Sequence, residues 1–166
     1  MTEIKRLDKS HLDGFCHVND TILKNLANPE WYIPIPKDAL PHVLDGDSTL
    51  VIYGAFVDGV LAGVSLIDLN KNEFSDLCGV IGVTAENCGE LGACMVLPEY
   101  RGKNLMYLIN CELLKAAGDM GLTHLVASAH PDNIASNTSL KKLGFDCRAT
   151  ITRCGHYLRN AYFMEV

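Results

Sequence analysis

The chain lacks the usual metal frameworks. Its seven cysteines (Cys16, Cys78, Cys88, Cys94, Cys111, Cys147 and Cys154) form no C-x-x-C pair, and no two histidines stand at metal-ligand spacing. No metal is expected on those grounds, and an odd cysteine count gives no disulfide framework. An apolar leader is absent from the opening MTEIKRLDKS, so reduced thiols and a cytoplasmic location are expected. A basic excess is absent too. The formal net charge is -6, which excludes a general nucleic-acid binder, because neutralising phosphates needs surplus Lys and Arg. There is no internal repeat and no linker. The most apolar stretch, Leu50 to Ile67, is broken by Asp58-Gly59, a hairpin signal that excludes a membrane span there.

At 166 residues, with 48% hydrophobic and 20% charged residues, the chain has the size and composition of one globular domain over 1–166. The charge is uneven. Residues 1–83 carry 6 Lys+Arg against 12 Asp+Glu, and residues 84–166 carry 8 against 8. An anionic ligand is better received by the second half.

Periodicity predicts a strand at Ile4 to Leu7 and a helix over His11 to Leu26, with Ser10 placed to cap it. The segment 28–36 holds three prolines and reads as an aromatic loop, followed by a short helix between Lys37 and Leu44. Strands are expected on both sides of Asp58-Gly59, and Asn70 to Asn87 reads as a long loop. A strand over Glu90 to Leu97 ends at Pro98, and a helix over Asn104 to Met120 ends at Gly121. His124 to Ala129 is a strand, Ala135 to Leu143 a helix closed by Gly144, and Phe145 to Thr152 and His156 to Met164 are two more strands. The order describes a mixed α/β domain.

No G-x-G-x-x-G is present, and Gly102-Lys103 lacks the upstream glycine of a P-loop. What stands there is a strand, a turn holding Arg101, Gly102 and Lys103, and a helix. Free N–H groups and the helix dipole at such a start suit a phosphate; a plain turn with solvated Arg and Lys fits the residues equally well.

The run Val96-Leu97-Pro98-Glu99-Tyr100-Arg101-Gly102-Lys103 resembles the acetyl-CoA signature of the GNAT superfamily of N-acetyltransferases. Asn133-Ile134-Ala135-Ser136, followed by Leu143-Gly144-Phe145, is similar to that family's second motif. The resemblance implies a central mixed, mostly antiparallel sheet of six to seven strands flanked by about four helices. It implies acetyl-CoA as co-substrate, with backbone groups of Cys94, Met95 and Val96 beside the pantetheine arm. Arg101, Gly102, Lys103, Asn104, Leu105 and Met106 would wrap the pyrophosphate, with Asn133 and Ser136 near the pantetheine and acetyl end. Asn133 and Ser136 also suit helix capping.

Three positions depart from the family pattern. Asn104 and Met106 stand where small residues are usual, and Leu140 stands where many members carry a tyrosine that protonates the leaving thiolate. The implied reaction is direct attack by a primary amine on the thioester in a ternary complex. Glu90 resembles a carboxylate that some members use as base, and His130 and Asp132 are further candidates. A non-catalytic acyl-CoA sensor of the same fold is the alternative. All seven cysteines are assigned to packing. The acceptor, a small amine or a peptide, is expected among residues 28–44 and 70–88. Glu30, Asp38, Glu73 and Asp76 there, with Trp31 and Tyr32, suggest a cationic amine with an apolar body. In this family a C-terminal strand pair often supports a homodimer. Neither a membrane nor a nucleic acid is an expected partner.

Overall fold

The computed structural model describes residues 1–166. Seven strands form one sheet: β1 (Thr2–Arg6), β2 (Leu50–Val57), β3 (Val60–Asp68), β4 (Cys88–Val96), β5 (His124–Ala129), β6 (Asp146–Arg153) and β7 (Tyr157–Glu165). Four helices flank it: α1 (Leu12–Lys24), α2 (Lys71–Ile81), α3 (Leu105–Asp119) and α4 (Ile134–Leu143). The spatial order is β1-β2-β3-β4-β5-β7-β6, and every neighbouring pair is antiparallel except β4 with β5. No helix is long and apolar enough to cross a membrane.

The hairpin signal lies where the sequence places it. Asp58 and Gly59 have φ of 49° and 84°, the left-handed pair that a two-residue turn between twisted strands requires. Three local expectations fail. Residues 70–87 are not one loop, because α2 occupies Lys71–Ile81. The Asn70 side chain accepts from the Asn72 N–H at its start, and Gly82 in the left-handed conformation closes it. Residues 37–44 hold only a single 3-10 turn, Leu40–His42. Ser10 does not cap α1: it sits inside a 3-10 turn, Lys9–His11, where Asp8 accepts from the Ser10 N–H at 2.9 Å.

Each helix buries one face against the sheet. On one side Ile109, Leu113 and Ala117 of α3 pack on Val51, Ile67, Leu91 and Leu125. On the other, Phe15, Val18 and Ile22 of α1 cover Ile52, Val64 and Met95, and Phe74, Leu77 and Cys78 of α2 cover Cys88, Val126 and Ala161. Each Val, Leu, Ile, Phe or Met side chain among these contributes about 1.5–3 kcal/mol by leaving water.

The feature that positions the site is a split in the sheet. β4 runs to Val96 and β5 to Ala129, yet they pair only from Cys88–His124 to Leu91–Ala127. Beyond Leu91 the register with β3 slips between Val64 and Leu66, and Ala93 takes a φ of 47°. A non-glycine residue in that conformation costs about 1–2 kcal/mol, which the packing of Val64 and Met95 sustains. This bulge turns β4 away from β5 and leaves its last residues without a partner strand on that side.

Candidate active site

A cavity of about 640 Å³ passes through this split. Met106, Asn110, Asn133, Ser136 and Leu140 line it at α3 and α4; Trp31, Tyr32, Ile35, Glu73, Arg153 and Arg159 line it on the α1 and α2 side. Glu90, Gly92, Cys94 and Met95 of β4 stand between.

The turn before α3 leaves its backbone donors free. Gly102 and Asn104 have φ of 76° and 60°, both left-handed, so Asn104 takes the backbone that glycine would. No side chain caps α3, and the N–H groups from Gly102 to Tyr107 have no acceptor within the chain. The Asn104 carboxamide is held by Lys142 Nζ at 3.2 Å, and Arg101 Nε donates to the Val96 carbonyl at 3.4 Å. Leu105 is buried in the core, and Met106 is half-buried against that core while it lines the cavity. Lys103 lies over the Tyr100 ring.

Met95 and Val96 send their side chains into the two cores, which leaves their backbone to face the split. Cys94 Sγ lies 3.0 Å from Ser65 Oγ and takes a bond from Asn110 Nδ2 at 3.6 Å. Burial pushes its thiol up, so it stays protonated and is no nucleophile. Asn133 caps α4, its Oδ1 accepting from the Ser136 N–H at 3.2 Å, while its side-chain Nδ2 has no partner and the residue lines the cavity.

Glu90 is not the solvent-exposed strand residue that its position permits. Arg153 Nη1 donates to Glu90 Oε1 at 2.6 Å, and Arg153 also holds Asp76, Ser128 Oγ and the Glu73 carbonyl. Burial raises the Glu90 carboxyl above the usual range; the Arg153 charge works against that rise. His130 is buried and accepts the Asp132 N–H at Nδ1, which fixes the proton of the neutral ring on Nε2. That Nε2 lies 4.0 Å from Glu30 Oε2, and the His130 carbonyl accepts from Asn137 Nδ2 at 2.9 Å. The lone pair of His130 is therefore spent on shaping the turn before Asn133. Leu140 is buried beside the cavity, with no proton to give. Sequence reasoning missed Arg153 and Arg159 as site residues, and no local signal in the sequence marks them.

The model of the acetyltransferase (GNAT) family matches residues 21–145. A search of curated proteins gives no match. Among solved structures the fold is similar to an N-acetyltransferase from Staphylococcus aureus Mu50, with TM-score 0.77 and 17% identity over 99% of this chain and 98% of that one. It is also similar to PaiA N-acetyltransferase from Thermoplasma acidophilum in complex with coenzyme A, with TM-score 0.69 and 15% identity over 100% and 99%. A third likeness is yncA, a putative acetyltransferase from Salmonella typhimurium with its cofactor acetyl-CoA, at TM-score 0.72 and 19% identity over 100% and 93%.

Proposed function

The chain belongs to the GNAT family of acetyltransferases, and on that premise we propose that it transfers an acetyl group from acetyl-CoA to a primary amine. The observation that carries this reading is the continuity of the cavity through the split sheet, with Met106 lining it where α3 begins, in the stretch from Gly102 to Tyr107 whose N–H groups have no acceptor. Two of the similar structures were solved with coenzyme A or acetyl-CoA, in keeping with this end as the cofactor side.

The chain's own groups divide the work. The amides from Gly102 to Met106 take the pyrophosphate, favoured by the α3 dipole. The unpaired edge of β4 at Cys94, Met95 and Val96 binds the pantetheine amides as a strand would, and Asn133 and Ser136 hold its far end. A backbone N–H beyond Leu91 polarises the thioester carbonyl. The amine nitrogen attacks that carbon; the new C–N bond forms as the C–S bond breaks, and the thiolate leaves with the electron pair. Glu90 takes the amine proton, directly or through one water. A thiolate with a pKa near about 8.5 departs without full protonation near neutral pH, so Leu140 in place of an acid is tolerable.

Leu140 also favours a second reading, a sensor that binds acyl-CoA and turns over nothing. Labelled acetyl-CoA with a mixed amine pool, read by mass spectrometry, tests both. Labelled amide products support transfer; CoA binding without any product supports the sensor; no binding overturns both.

A further inference from the structure

Arg159 is 2% exposed, and it lines the cavity on the side away from the α3 turn. Its one hydrogen bond runs to the carbonyl of its own neighbour, Leu158, at 2.8 Å, and its guanidinium lies 5.2 Å from the Tyr157 ring centre. No carboxylate lies within ion-pair distance; Glu30 acts on it only from farther away. Buried arginines are almost always paired, because an uncompensated charge out of water is costly. Burial, together with the nearby Arg153 charge, pushes the Arg159 pKa down, which is the signature of a cation short of a counter-charge.

Arg153 offers a contrast. Its donors are spent on Glu90, Asp76, Ser128 and the Glu73 carbonyl. The same cavity holds a second orphan donor, for the buried indole N–H of Trp31 has no hydrogen-bond partner. Of the four acidic residues that favour a cationic acceptor in the sequence, only Glu73 lines the cavity, and it is exposed. Asp76 serves Arg153, Glu30 faces His130, and Asp38 is exposed and does not line the cavity.

We propose that Arg159 receives a carboxylate of the acceptor, so that the acceptor is an amine that also carries a carboxylate, its apolar body held among Trp31, Tyr32 and Ile35. One unpaired guanidinium matches one negative charge, and its planar fork suits two carboxylate oxygens. This rests on the acetyl-transfer reading and names its substrate class.

The test compares phenylalanine, leucine and methionine, each against the amine left when its carboxylate is removed. The wild-type protein should show kcat/KM at least about tenfold higher for the carboxylated member of a pair. Arg159→Gln should raise KM for that member about 10- to 100-fold and leave its decarboxylated partner within about twofold. Arg159→Lys should restore part of the loss. Equal or better use of the decarboxylated amines by the wild type overturns the proposal while acetyl transfer stands. An equal loss on both members in Arg159→Gln assigns Arg159 a structural role and overturns it too. If Arg159→Gln does not fold, the wild-type pairs decide alone. Where no amine is acetylated, melting of the wild-type protein with CoA and each amine is read instead. A shift by the amino acids and not by their decarboxylated partners supports the carboxylate site although transfer fails; no difference overturns it.

Discussion

Arg153 on β6 places its Nη1 2.6 Å from Glu90 Oε1 on β4, two strands that are not neighbours in the sheet. The pair spans β5 and β7, and α2 supplies Asp76 above it. Arg153→Met leaves a buried carboxylate alone and should cost about 3–5 kcal/mol, read from the urea midpoint. Arg153→Met with Glu90→Gln should cost less than the sum of the two single changes, because they share one interaction.

Glu90→Gln should lower turnover about tenfold or more near neutral pH while leaving CoA affinity nearly unchanged. Burial raises the Glu90 carboxyl, so its base form appears at a higher pH than for an exposed glutamate. The acid limb of the wild-type rate profile therefore lies above the ordinary carboxylate range, and turnover falls as pH drops through it. In Glu90→Gln that limb should vanish, with part of the rate recovered at high pH as the amine deprotonates unaided. A Glu90→Gln profile identical to wild type removes Glu90 from the mechanism.

CoA at about 100 times its dissociation constant should add about 2.7 kcal/mol, several degrees in Tm. Asn104 sits at a φ of 60°, so Asn104→Val should cost about 1–2 kcal/mol and shrink the CoA shift. Asn104→Gly should keep that shift. Thermal melting with and without CoA reads both variants.

Leu140→Tyr places a hydroxyl where the family's acid stands. Leu140 is 7% exposed and packs in the core under α3, so the larger ring should cost about 1–3 kcal/mol. Turnover should rise only a few-fold where the hydroxyl reaches the sulfur. A lower Tm with higher kcat is the expected pair of readings.

The turn at Asp58-Gly59 and the helix ending at Gly121 were legible in the sequence because each depends on its immediate neighbours. The helix α2 was hidden, although Phe74, Leu77 and Cys78 stand at helical spacing between Asn70 and Gly82. Polar residues interrupt that short pattern, and its apolar face becomes evident only against Cys88, Val126 and Ala161. Arg153 and Arg159 were hidden for a different reason. They alternate with exposed residues on a terminal hairpin, and a charged residue there reads as solvated. Their burial follows from β7 lying between β5 and β6, with α2 laid across, a non-local outcome that no window of sequence contains.

The short pairing between β4 and β5 has a mechanical consequence. From Cys88–His124 to Leu91–Ala127 it is the only ladder that joins β1–β4 to β5–β7, so the sheet is two stiff plates meeting at a brief seam. A small rotation about that seam is magnified at the far end, as at the mouth of a pair of tongs. The grip on whatever lies between the plates is then set less by the residues at the mouth than by the seam's rigidity. Arg153 belongs to one plate and Glu90 to the other, and their bond is a brace across the pivot.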